Sequence, residues 1–103
     1  MLSNGTIPRI GEIVKILQGR DKGRYAVAVK IIDERFIMIA DGDKRKFDRA
    51  KRKNVLHIEP VGSVSPEVAN SIQETGRVTN GKLRYSLQRY LASLEAEGNE
   101  EGK

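Results

Sequence analysis

Two stretches hold the residue types that could do chemistry, and both are cationic. Residues 19–24, Gly-Arg-Asp-Lys-Gly-Arg, set Arg20, Lys22 and Arg24 at alternate positions around two glycines. Gly19 and Gly23 let the backbone reverse with positive φ or approach a partner closely, so the three cations stand where phosphates can meet them. Residues 44–53 carry seven basic side chains, Lys44, Arg45, Lys46, Arg49, Lys51, Arg52 and Lys53, against the single acid Asp48. Their mutual repulsion costs stability unless an anion relieves it, so this segment reads as a loop that tracks a phosphate backbone. The bland alternative at each place is a charged, solvated loop without a specific partner.

Other chemistries find no residues to perform them. There is no cysteine, hence no disulfide framework, thiolate metal site or thiol nucleophile. His57 is the single histidine, and in the apolar run Val55–Ile58 it reads as a hydrogen-bonded structural residue. Asp41-Gly42-Asp43 opens like a calcium loop, but arginines stand at later ligand positions and Lys46 where the loop needs glycine. The turn at 19–23 lacks the Gly-Lys-Ser/Thr ending of a phosphate-binding P-loop and leads into a strand rather than a helix. No cofactor is expected, and with no convergent acid and base the chain does not read as an enzyme.

The charge distribution points the same way. The formal net charge is +5; through residue 60 there are 14 basic residues against 8 acidic, and after it 5 against 6. A basic body of this kind attracts polyanions, and nucleic acid is the commonest of these. No window approaches the roughly 18 apolar residues of a spanning helix and no signal peptide is legible, so a cytoplasmic location is expected.

The elements that must position the cations are short and aliphatic, as 103 residues without tryptophan require. Residues 1–10 read as a flexible leader. Ile13, Val14, Ile16 and Leu17 give a strand apolar on both faces, suited to a small barrel. Residues 25–32 alternate, with Tyr25, Val27, Val29 and Ile31 on one face and Ala26, Ala28, Lys30 and Ile32 on the other. Residues 36–40 return as a hairpin partner, and residues 55–58 make a last strand closed by Pro60. Tyr25 and Phe36 are expected to pack in the core, with base stacking the alternative role. Ser65-Pro66-Glu67 signals a helix start and Gly76 its end. A second helix is expected from about Lys82, with Leu83, Leu87, Tyr90, Leu91 and Leu94 as its apolar stripe, Lys82 and Arg89 on the opposite side, and Tyr85 near them. Residues 97–103 read as a disordered acidic tail.

The first cationic turn carries a resemblance. Gly11, Val14, Ile16, Gly19, Asp21, Lys22, Gly23 and Val27 fall at the positions of the KOW motif, found in ribosomal proteins and transcription elongation factors. Extended through the hairpin and residues 51–60, Lys-Arg-Lys-Asn-Val-Leu-His-Ile-Glu-Pro, the pattern is similar to archaeal and eukaryotic large-subunit ribosomal proteins of the fourteen-e type. The resemblance covers about half the chain. It implies a mostly β fold, an SH3-like β-barrel of the KOW type over residues 11–60; the two short helices expected over 61–96 rest on their own local signals, lie outside the resemblance and are expected to pack on the barrel. It also implies RNA as partner, ribosomal RNA and the large ribosomal subunit foremost. The competing expectation is a protein-docking module of the transcription or translation machinery.

Overall fold

A computed structural model of the chain describes residues 7–101, with side chains through residue 96. Five strands come first: β1 Glu12–Ile16, β2 Tyr25–Ile31, β3 Phe36–Ala40, β4 Lys51–Asn54 and β5 Ile58–Val64. Two helices follow, α1 Pro66–Thr75 and α2 Asn80–Glu101. All pairings are antiparallel, in the order β4-β3-β2-β1-β5. The expected mostly β fold with a helical C-terminal part is the one observed. It departs from the expected barrel in one respect: the sheet is open, with β4 and β5 as its edges.

Two cores explain why β1 and β2 are apolar on both faces. Ile13, Val27, Val29 and Ala40 pack with Val68, Val78, Leu83 and Leu87 to form the layer between sheet and helices. On the other face Val14, Ile16, Ala26, Ala28, Ile37, Ile39, Val55 and Ile58 form a second cluster. Among the described residues neither α1 nor α2 contributes to that second cluster, yet none of its members is more than 5% exposed. A flat sheet would leave them wet, so the sheet is rolled around them, barrel-like although unclosed. A register shift between Ala28 and Lys30 carries Ile31 onto this inner cluster, away from the face that simple alternation assigns it with Val29. Ile32 is left exposed.

The second cationic stretch is not the loop expected over 44–53. Asp41 organises a turn: its Oδ1 accepts from the amides of Asp43 and Arg45, both at 2.8 Å. A 3-10 turn spans Phe47–Arg49, and from Lys51 the chain pairs with β3 as strand β4. The reason is backbone satisfaction, since the β3 edge needs a partner for its N–H and C=O groups. Residues 55–57 are likewise a 3-10 turn rather than a strand, capped by Asn54 Oδ1 accepting from the Leu56 amide at 2.8 Å. Pro60 lies inside β5 instead of ending it, which an edge strand tolerates because one row of amides lacks a ladder partner.

The leader expected over 1–10 is anchored where it is described: Pro8 is buried and Ile7 packs on the inner cluster. Residues 1–6 lie outside the described residues. Ser65 caps α1, accepting from the Val68 amide at 3.3 Å, with Pro66 in the first turn. Gly76 ends the helix at φ 76°. The second helix starts earlier than Lys82, because Thr79 Oγ1 accepts from the Lys82 amide at 3.2 Å and so caps it. At 22 residues it is not short, and it runs into the stretch expected to be an acidic tail. Residues 102 and 103, and the side chains from 97 on, lie outside the described residues. Its apolar stripe divides in two: Leu83 and Leu87 are buried against the sheet and Tyr90 meets Tyr25 at 5.4 Å between ring centroids, whereas Leu91 and Leu94 are exposed.

Candidate nucleic-acid interface

The β1–β2 connection is a compact turn. The Gly23 amide donates to Ile16 O at 2.8 Å, the Lys22 amide to Gly19 O at 3.2 Å and the Arg24 amide to Asp21 O at 3.0 Å. Gly19 and Gly23 take φ of 101° and 90°, the left-handed region that side chains resist. Arg20, Lys22 and Arg24 are therefore exposed on a backbone fixed by its own hydrogen bonds. Gly11, the third motif glycine, serves packing instead. A Cβ there would stand 3.0 Å from both Ala69 Cβ and Ser65 O, where the start of α1 crosses β1.

The turn and the second cationic stretch meet through Lys53. Its ammonium donates to Gln18 O at 2.9 Å and lies 2.9 Å from where a Gly19 Cβ would be. Strand pairing explains the reach. Lys53 lies opposite Ile37 and Lys51 opposite Ile39, so both lysines leave β4 on the inner face of the rolled sheet, while Arg52, opposite Met38, leaves on the outer face. The seven cations thus do not form one track. Lys53 joins the motif turn, Arg52 lies over the Phe36 ring at 4.6 Å from its centroid, and Lys44, Lys46 and Arg49 are exposed along the turn before β4. Arg45 bends back to Arg49 O at 3.3 Å. Among the described residues none of the ten cations is ion-paired; the pairs present are Arg9 with Glu12 at 3.9 Å and Arg89 with Glu67 at 3.7 Å. Ten cations left without counter-charges suit an anionic partner.

Sequence reasoning passes over the packing role of Gly42. Gly42, buried at φ 80°, lies against the first turn of α2, and Arg84 Nη1 donates to its carbonyl at 2.7 Å. Phe36, expected to pack in the core, is half-buried but belongs to neither core cluster, and its ring carries Arg52. The alternation of β3 and β4 is the only signal for that contact, and the basic run of β4 does not itself read as a strand. Tyr85 is exposed as expected, with Arg89 5.8 Å from its ring centroid. Among the described residues no group of three or more His, Asp or Glu side chains could hold a metal ion. Nor is any described helix long and apolar enough to cross a membrane.

Comparison with known proteins decides the family. No protein-family model matches the chain. It is 34% identical over 77 residues to large ribosomal subunit protein eL14 of Pyrobaculum islandicum, covering 67% of this chain and 75% of the relative. The chain belongs to the eL14 family. A second eL14, from Sulfolobus acidocaldarius, is 32% identical over 75 residues, covering 65% of this chain and 78% of the relative. The eL14 member also resembles a bacterial protein, "Putative ribosome-binding protein YbzG" of Bacillus subtilis, at 42% identity over 71 residues, 69% of this chain and 96% of the relative. These relatives support the resemblance read from the motif turn and the residues ending at Pro60.

Proposed function

We propose that this eL14-family protein is a non-enzymatic RNA-binding protein of the cytoplasm that holds ribosomal RNA on the large ribosomal subunit. Arg20, Lys22, Arg24 and Lys53 would contact phosphates at the motif turn, with Lys44, Arg45, Lys46, Arg49, Lys51 and Arg52 extending the contact along the β3–β4 connection and edge strand β4. The observation that carries the reading is the Lys53 bond to Gln18 O, which joins the second cationic stretch to the motif turn at that lysine. The names of the relatives, large-subunit protein and ribosome-binding protein, support the same target. Double-helical RNA presents shape and backbone rather than readable major-groove edges, and separated exposed cations on a stiff scaffold fit that demand.

Titration against ribosomal RNA, duplex DNA and heparin at several salt concentrations tests this. Wild type should prefer ribosomal RNA at physiological salt. A protein carrying Arg20→Glu, Lys22→Glu and Arg24→Glu should bind it more weakly, with a log-log salt slope shallower by about 0.7–0.9 for each phosphate it no longer neutralises. Equal affinity for all three polyanions would reduce the site to a charge patch. The competing reading is a protein-docking module, favoured by the exposed Leu91 and Leu94 of α2. It would be supported instead if RNA binding were weak and large-subunit association survived high salt but disappeared on replacing those leucines.

A further inference from the structure

We infer that Phe36 and Arg52 form a stacking platform for an unpaired nucleobase on the outer face of edge strand β4. This deepens the RNA-binding reading and rests on it, because it names the RNA feature that one part of the site takes.

Phe36 pairs with Asn54 and Met38 with Arg52, so all four side chains leave the β3–β4 ladder on the same face. Arg52 therefore reaches diagonally, and its guanidinium carbon lies 4.6 Å from the centroid of the Phe36 ring. The ring is half-buried and Arg52 is exposed, so the ring is the floor and the guanidinium the upper layer. Among the described residues Arg52 has no ion pair and donates no side-chain hydrogen bond. The ring and the strand thus hold the guanidinium over Phe36, with its N–H groups unused among the described residues.

A guanidinium seated over an aromatic ring presents its outer side as a stacking surface and its edge as a bidentate donor. An unstacked base fits both: it lies on the free face, and the phosphate or acceptor atoms beside it meet the N–H edge. A paired base inside a helix hides its face between neighbours and meets neither. Lys51 and Lys53 leave from the other face of β4 and can hold backbone phosphates whether or not a base is on the platform. Arg52 therefore discriminates among RNAs that the remaining cations bind alike.

The experiment uses the full chain and two probes: a short RNA hairpin with 2-aminopurine in an unpaired loop, and a fully paired duplex of the same stem. Wild type should bind the hairpin about tenfold more tightly than the duplex, the size of one base-stacking contact, and should quench the 2-aminopurine. Arg52→Lys keeps the charge and loses the plane; it should abolish the preference for the hairpin and the quenching. Phe36→Leu, with folding checked by circular dichroism, should do the same by removing the floor. Equal binding of both probes by wild type, or a preference that survives Arg52→Lys, overturns the platform and leaves the RNA-binding reading standing. Binding of neither probe at physiological salt overturns both.

Discussion

At the scale of single residues, Lys53 and Gly19 are coupled. Gly19 at φ 101° leaves room for the Lys53 ammonium, and that ammonium caps Gln18 O at 2.9 Å. Gly19→Ala should destabilise the protein by about 1–3 kcal/mol through left-handed backbone strain. Gly23→Ala should cost a similar amount, since nothing lies within 4 Å of its Cβ and strain is the whole effect. The two differ once Lys53 is changed to Met. Combined with Lys53→Met, Gly19→Ala should be less than additive in denaturant unfolding, because the displaced ammonium is already gone, whereas Gly23→Ala should add. Additivity in both combinations would mean that Lys53 does not bridge the turn in solution. Ser65 is coupled to the other half of the fold in the same way: its Oγ lies 2.6 Å from Ser86 Oγ while accepting from the Val68 amide. Ser65→Ala should cost about 1–2 kcal/mol, since it uncaps α1 and strips a buried hydroxyl of its partner.

At the scale of elements, the decisive joint lies between the β3–β4 connection and the start of α2. Asn80 Oδ1 accepts from the Phe47 amide at 2.8 Å, and Arg84 holds Gly42 O. A Cβ on Gly42 would drive into Asn80 O and come within 3.0 Å of Leu83 Cβ, on a backbone at φ 80°. Gly42→Ala should therefore lower the melting temperature more than Gly23→Ala, which meets no atom, and a smaller effect would contradict this packing. The stripe of α2 makes a second comparison. Leu87 is buried in the core between sheet and helices, so Leu87→Asp should unfold the protein or cost more than about 3 kcal/mol. Leu91→Asp, on an exposed position one turn later, should change stability by less than about 0.5 kcal/mol. Thermal denaturation of the pair separates docking of the first half of the stripe from docking of the whole.

At the scale of the whole molecule, charge and stability are distributed differently along the chain. All side chains from Leu91 to Ala96 are exposed, so little of the fold depends on this stretch of α2. Residues 95–103 contain four acidic residues against one basic, and removing them raises the net charge from +5 to +8. Truncation after Leu94 should leave the melting temperature unchanged and tighten heparin binding at low salt, measured by elution from a heparin column. Much of this molecule is legible in local sequence: the alternation of β2, the glycine turn at 19–23, the Ser65-Pro66 start and Gly76 end of α1, and a basic body. Each depends on φ preferences, side-chain period or charge, which residues carry with them wherever they are placed. The strand at 51–54 is not legible, because a run of Lys, Arg and Asn has no strand periodicity and pairs only to satisfy the β3 edge. The same holds for the role of Gly42. Only the tertiary structure decided these, along with the meeting of Lys53 with Gln18 and of Arg52 with Phe36, 35 and 16 residues apart in the chain. Such contacts arise when a sheet rolls and its edges find partners, a global requirement for burying apolar surface and pairing backbone groups that no local window expresses.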